Sequence, residues 1–319
     1  MNAMMRRVVI GTAAVSMALS MAACGKAGSN KSSGASVSNG FKIGLALPEN
    51  QTARYEAVDR PMIVKKVKEL CPKCTVEYQN ASQNANTQQQ QIDTLINDGV
   101  KVIILDSVDS KAIQSSVTKA HNKGIKVVAY DRLAQGPLDA YVSFDNTKVG
   151  ELQGQGLVDC LAGKPANVVF LNGSPTDNNA TLFTSGAHSA IDKTPSIKVV
   201  GEQAVPDWDN DKAVTIFEQM YTAADGRIDG VYAANDGLAG SVISILEKNK
   251  RAGQVPVTGQ DATVEGLQNV LAGKQCMTVY KSAKEEAGAL AKAAIALVKG
   301  ESVSASGTSR DDKGNRDVP

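Results

Sequence analysis

Hydrophobic and polar residues are grouped along this chain in blocks rather than alternating one by one. Short apolar, β-branched runs fall at 42–47, 75–78, 102–105, 125–130, 141–144, 167–171, 197–205, 230–234, 255–258 and 277–280. Most lack the polar alternation of a half-exposed strand, which is how strands buried on both faces of a parallel sheet read. Between them lie stretches with apolar residues at helical spacing, among them 58–70, 87–97, 149–161, 212–224, 238–249 and 283–299. Gly99, Gly124, Gly163 and Gly226 stand where helices take a left-handed cap. The alternation predicts an α/β protein with doubly wound parallel sheets and right-handed crossovers. Ten strands suit two sheets of about five better than one open sheet. The natural break is at 146–148, after the short run 141–144, which gives two Rossmann-like lobes.

In open α/β sheets ligands bind outside the carboxyl ends of the strands, so the residue after each run carries the candidate chemistry. The run 125–130 stops on Asp131-Arg132, an acid and a base side by side. Taken alone, the pair reads as a surface salt bridge at a loop start. Its neighbours change that reading. Arg54-Tyr55 follows the first run, Asp106 the third, Asp145-Asn146 the fifth, and the polar segment 172–179, with Asn178 and Asn179, the sixth. Pro206-Asp207-Trp208, Asn235-Asp236, Gln260-Asp261 and Lys281 follow the last four. Carboxylates accept hydrogen bonds from vicinal hydroxyls, while Arg, Lys and Asn donate to hydroxyl and ring oxygens. Trp208, the single tryptophan, and Tyr55 offer flat faces to the C–H side of a pyranose ring. An anionic ligand would call for cations and helix N-termini without so many acids. The set suits a neutral polyol. Half a dozen hydrogen bonds to charged groups, at about 1.5–3 kcal/mol each, support micromolar or tighter affinity, about −8 kcal/mol, after the losses of association.

The N-terminus sets the compartment. Arg6 and Arg7 precede an apolar stretch of small residues that ends in Ala22-Ala23-Cys24. Residues 1–23 read as a secretory signal whose apolar part is too short to span a membrane. Cys24 after two alanines resembles a lipobox, in which the cysteine is lipidated. Met21 stands where such motifs usually carry Leu. Residues 24–40, rich in Gly, Ser and Lys, make a flexible tether, so the folded body is expected outside the cytoplasm, anchored to the membrane. Cys71, Cys74, Cys160 and Cys276 are an even number in an oxidising location. Cys71-Pro72-Lys73-Cys74 lacks the two further ligands of a tetrahedral zinc site and lies between a helix and a strand. A Cys71–Cys74 disulfide is expected there, with Cys160 and Cys276 the remaining pair. No metal or other cofactor is expected. Net charge is +1 with the signs interspersed, which gives no footprint for nucleic acid.

Several segments together resemble a known family. They are Lys42-Ile43-Gly44, Ala129-Tyr130-Asp131-Arg132, Ser143-Phe144-Asp145-Asn146-Thr147-Lys148-Val149-Gly150-Glu151-Leu152-Gln153, Gly173-Ser174-Pro175-Thr176-Asp177-Asn178-Asn179-Ala180, Asn235-Asp236, Gly259-Gln260-Asp261-Ala262 and Met277-Thr278-Val279-Tyr280-Lys281. From Lys42 to Pro319 the chain resembles the sugar-binding lipoproteins of ABC transporters, within the ribose/galactose-binding superfamily and nearest its xylose branch. The resemblance implies a type I periplasmic binding protein fold that closes by a hinge over one monosaccharide, most simply D-xylose. It implies a monomer that delivers the sugar to a membrane permease. It assigns 41–147 and 281–299 to an N-terminal lobe and 148–280 to a C-terminal lobe. Arg54, Asp131, Arg132, Asp145, Asn235, Asp261 and Lys281 become hydrogen-bonding ligands, with Asn178 and Asn179 beside them and Trp208 as the stacking face. Tyr55 stands where the family often has Trp, and Ser282 where a proline is common. The family continues past Asp317-Val318-Pro319 with an apolar strand that crosses between lobes. Residues 300–319 carry no strand signal, so an irregular, truncated tail and a less stable C-terminal lobe are expected.

Other classes fit less well. A glycosidase needs paired carboxylates, and Asp131, Asp145 and Asp261 supply them. Arginines beside those acids hold them ionised and unsuited to act as general acids, so no enzyme is expected. A sugar-responsive repressor would carry a DNA-binding head where this chain has an export signal. Ribose, arabinose, galactose and furanose signals remain alternative ligands.

Overall fold

The computed structural model describes residues 36–307 in full and 309–310 and 317–318 by their backbone. The expected signal at 1–23, the lipidated Cys24 and most of the tether 24–40 lie outside the described residues. Five parallel strands build the first sheet: β1 (Lys42–Leu47), β2 (Thr75–Asn80), β3 (Val102–Leu105), β4 (Lys126–Tyr130) and β5 (Ala140–Val142), in the order β2-β1-β3-β4-β5. The period-2 alternation of side chains splits its core in two. Ile43, Leu45 and Leu47 of β1 pack with Ile104, Val128 and Tyr130 on one face. Ala46 packs with Ile103, Leu105, Val127 and Ala129 on the other. Helices α1 (Arg60–Leu70) and α9 (Ala283–Lys299) cover the first face, α2 (Ala85–Asn97) and α3 (Gln114–Asn122) the second.

The second sheet is smaller than expected. It holds β6 (Ala166–Asn172), β7 (Ile197–Ala204) and β8 (Gly230–Ala233), in the order β7-β6-β8. The runs 255–258 and 277–280 add only the single bridges Val231↔Val257 and Gln260↔Val279. Pro256 lacks the N–H that a longer ladder would need. Helices α4 (Asn146–Leu161), α5 (Asn178–Ile191), α6 (Asn210–Ala223) and α7 (Asp236–Lys248) enclose this sheet, and α8 (Val264–Leu271) lies outside its core.

Polar side chains start most of these helices. Asp145, Asp177, Asp209, Asn235, Thr263 and Ser282 each accept a hydrogen bond from a backbone N–H of the first turn. Ser282, at the position where the family often has proline, therefore caps α9. The chain crosses back to the first sheet at Lys281, and α9 packs there against α1 and β4.

The tail differs from the expectation of irregular chain. Ser309–Arg310 (β9) and Asp317–Val318 (β10) form a two-residue antiparallel ladder. Residues 302–307 line a groove of about 1210 Å³ beside α1, α9 and β5. Cys71 and Cys74 are bonded across the α1–β2 turn, with Cα atoms 5.3 Å apart. Cys160 on α4 is bonded to Cys276, at 6.5 Å. Both separations are within disulfide reach. Among the described residues no helix is long and apolar enough to cross a membrane.

Candidate binding site

Strand order places the site. In both sheets the chain reverses its direction of growth beside the first strand of the unit, β1 and β6, and the crevice at such a reversal receives ligands. Arg54, Tyr55, Asp131 and Arg132 come to it from the first sheet, and Asn179, Trp208, Asn235 and Asp261 from the second. Lys281 arrives on the returning segment. All nine line one cavity of about 20 Å³, hardly more than a water molecule occupies. Asp145 is not among them. It is exposed, caps α4 through Lys148 N at 2.9 Å, and lines the outer groove instead. The helix start decides this, because a capping side chain turns back on its own backbone. Its neighbour Asn146 is the inward residue, buried and donating to Asn179 Oδ1 at 2.9 Å. Asn178, first in α5, does not line the cavity either.

The Asp131-Arg132 pair is not a salt bridge. Successive side chains at a strand end point to opposite sides, and the two residues take different partners. Asp131 Oδ2 accepts from the Tyr55 hydroxyl at 2.6 Å and lies 3.2 Å from Arg54 Nη2. Arg132 Nη2 donates to Glu49 Oε1 at 2.8 Å, and its Nε lies 3.2 Å from Asp177 Oδ2, across the cleft. Asp131 Oδ1 and Arg132 Nη1 have no protein partner. Both are buried polar atoms, which need a hydrogen bond from somewhere. Tyr55 is less a stacking plane than a spacer. Its ring lies 5.3 Å from the Arg54 guanidinium and 5.4 Å from that of Arg132, within cation–π range.

Across the cleft, Asp261 Oδ1 takes Lys281 Nζ at 2.9 Å and Arg54 Nη1 at 3.5 Å. Trp208 Nε1 donates to Asp177 Oδ2 at 3.1 Å. The indole lies directly over Gly173, where a Cβ would come within 2.0 Å of the ring. Asn179 Nδ2 donates to the Asp131 carbonyl at 3.0 Å, and Asn235 caps α7 at the cavity edge. At the rim the lobes touch through main chain: Ser110 N donates to Thr176 O at 3.1 Å, and Thr176 Oγ1 to Val108 O at 3.3 Å. Asp131, Trp208 and Asp261 have φ of +52°, +54° and +94°. Such strain, about 1–3 kcal/mol per residue, gathers at ligand sites.

Strand-end reasoning missed several members. Asp177, Phe183 and Gln260 also line the cavity. Asp177 and Gln260 stood in the polar segments after β6 and after 255–258, so that signal was present. Beneath them lies a buried layer. Asp59 and Glu286 hold Arg54, while Glu49 and Asp106 back Arg132. Seven carboxyl groups (Glu49, Asp59, Asp106, Asp131, Asp177, Asp261, Glu286) thus face three cations (Arg54, Arg132, Lys281). Burial raises Asp131, but Arg54 and Lys281 outweigh it and bring its pKa down to about 2. Burial dominates for Asp59, Asp106, Asp177 and Glu286, whose carboxyls are raised despite the nearby arginines.

Chemically, the cavity offers acceptors, donors and one indole face; most of the polar groups pair with one another, while Asp131 Oδ1 and Arg132 Nη1 are left over. Asp131, held ionised, has no proton to donate to a leaving group. The cavity of about 20 Å³ is spanned by the Arg54–Asp261 pair at 3.5 Å and the Arg132–Asp177 pair at 3.2 Å.

Two lobes with polar strand ends facing across a switch-point crevice define a cleft-type solute-binding protein. The family comparison agrees: residues 43–302 match the periplasmic binding protein domain, and the chain belongs to that family. It is 39% identical to the D-xylose-binding periplasmic protein of Escherichia coli (strain K12), over 87% of this chain and 83% of that protein. Identity to the D-xylose-binding periplasmic protein of Haemophilus influenzae is 38%, over 84% and 80%. Among solved structures, an ABC transporter solute-binding protein from Clostridium phytofermentans with bound β-D-glucose superposes with a TM-score of 0.80 at 29% identity. That match covers 87% of this chain and 90% of the other. The protein is a binding protein of ABC transport and not an enzyme.

Proposed function

We propose that this protein captures D-xylose outside the cytoplasm and hands it to an ABC permease, closing its lobes on the sugar. The observation that carries the reading is the meeting of Arg54, Asp131 and Arg132 with Trp208, Asn235, Asp261 and Lys281 around one cavity, in a chain 39% identical to a D-xylose-binding protein. Asp131 and Asp261 accept from ring hydroxyls, Arg54, Arg132, Lys281 and Asn179 donate, and Trp208 covers one ring face. Because the groups come from both lobes, sugar bonds are complete only in the closed form, and ligand shifts the population toward it. Lipid on Cys24 holds the monomer at the membrane beside its permease. A second reading, a hexose receptor, draws on the β-D-glucose in the Clostridium phytofermentans relative. Isothermal titration against xylose, ribose, arabinose, galactose and glucose separates the two. Xylose is expected to bind with a dissociation constant of about 1 μM or below. Failure of every sugar to bind rejects both readings.

A further inference from the structure

The side-on edge of the Arg54 guanidinium is already occupied. Asp59 Oδ2 accepts from Nε at 3.0 Å and Glu286 Oε2 from Nη2 at 3.4 Å, while Asp131 shares Nη2 at 3.2 Å. Only Nη1 faces the second lobe, 3.5 Å from Asp261. Neither Asp59 nor Glu286 lines the cavity, and both are buried, Glu286 with its Oε1 lacking a partner. A planar guanidinium has five donors in a fixed fork. Fixing two of its nitrogens from beneath therefore fixes where the third points.

We propose that Glu286 is a positioning residue for sugar binding, aiming Arg54 Nη1 into the cleft from the first turn of α9. The inference rests on reading the cleft as the sugar site. Its consequence is that α9, which carries no sugar ligand, sets affinity. Helix α9 follows Lys281 within two residues, so the helix that aims Arg54 is also the one that tethers the lysine facing Asp261. The charged and titratable groups around Glu286 are Arg54, Asp131, Lys281 and Asp59, with Tyr130 of β4 and Tyr141 of β5 behind them. Burial raises the Glu286 carboxyl despite the nearby Arg54 and Lys281, and its Oε2 accepts from Arg54 Nη2 at 3.4 Å.

The test is titration with D-xylose of the full chain, wild type against Glu286→Ala, Glu286→Gln, Glu286→Met and Arg54→Ala. The Ala variant at 286 is expected to lose about tenfold or more in affinity, about 1.4 kcal/mol. Gln keeps the shape without the charge. Because its amide oxygen still accepts from Nη2, it is expected to bind within about threefold of wild type. Glu286→Met, similar in bulk but without an acceptor, is expected to bind as weakly as Ala, whereas a residue that only filled space would be replaced by Met without loss. Wild-type affinity in Glu286→Ala, or a Gln variant as weak as Ala, overturns the proposal. If Arg54→Ala also binds as wild type, the reading of the cleft falls with it; if Arg54→Ala alone is weak, only the role of Glu286 falls. Should Glu286→Ala fail to melt cooperatively, Asp59→Ala, which removes the acceptor of Arg54 Nε, carries the decision: weakened binding at unchanged melting supports the device, and unchanged binding rejects it.

Discussion

Asp131 shows how one residue can serve fold and ligand together. Its backbone N–H extends the β4–β5 ladder, and its carbonyl accepts from Tyr141, Ser143 and Asn179. The chain is thereby held in a left-handed turn that aims the carboxylate at the cavity. The carboxyls beneath it set a pH response of defined sign. Asp59, Asp106, Asp177 and Glu286 are raised by burial, so above the unfolded carboxylate range the folded state binds more protons than the unfolded chain. Stability then falls as pH rises. For His188 burial lowers the pKa, but Asp192 and Glu202 outweigh it and raise it, which gives the same sign from about 6.5 upward. Asp131 acts oppositely, but only as pH falls from the ordinary Asp value through about 2. Calorimetry should show a higher melting temperature at pH 5 than at pH 8. A melting temperature that climbs between those values would contradict the burial of these protons.

Among the elements, the tightest fit is between α4 and α5. A Cβ on Gly150 would sit 2.0 Å from the Phe183 carbonyl oxygen, and one on Gly186 2.0 Å from that of Thr147. Gly150→Ala must push the helices apart. Overpacking of this kind costs about 1–3 kcal/mol, readable as a lower denaturant midpoint, and because Phe183 lines the cavity sugar affinity should fall with it. The same helices mark how far sequence patterns reach. The buried strands β1, β3, β4, β6 and β8 were legible because burial on both faces demands unbroken apolar runs. Helix α5 was not, since Asn, Thr, Ser and Gly are weak helix formers and its helicity comes from the Asp177 cap and packing on α4. Site residues at strand ends were legible because topology puts every strand end in one crevice. Asp59 and Glu286 were not, because an acid near a helix start reads as a solvated charge until tertiary packing turns it inward. Asp145 misled for the converse reason: its place at a strand end concealed its work as a cap.

For the whole molecule, a lipid on Cys24 is proposed to hold the extracytoplasmic body at the membrane. Cys24→Ala is expected to move the protein from the membrane fraction to the soluble one while leaving sugar affinity unchanged, since the cleft begins at Thr52. A variant that stays membrane-bound removes the lipid from the account. The main-chain contact at the cleft rim has a further, kinetic meaning. Ser110 N to Thr176 O is a bond between backbones, so it is the same whichever sugar lies inside and no side-chain change at Thr176 deletes its acceptor. A bond that opening must break is expected to lengthen the dwell time of every ligand by a common factor, leaving selection among sugars to the polar groups at the strand ends.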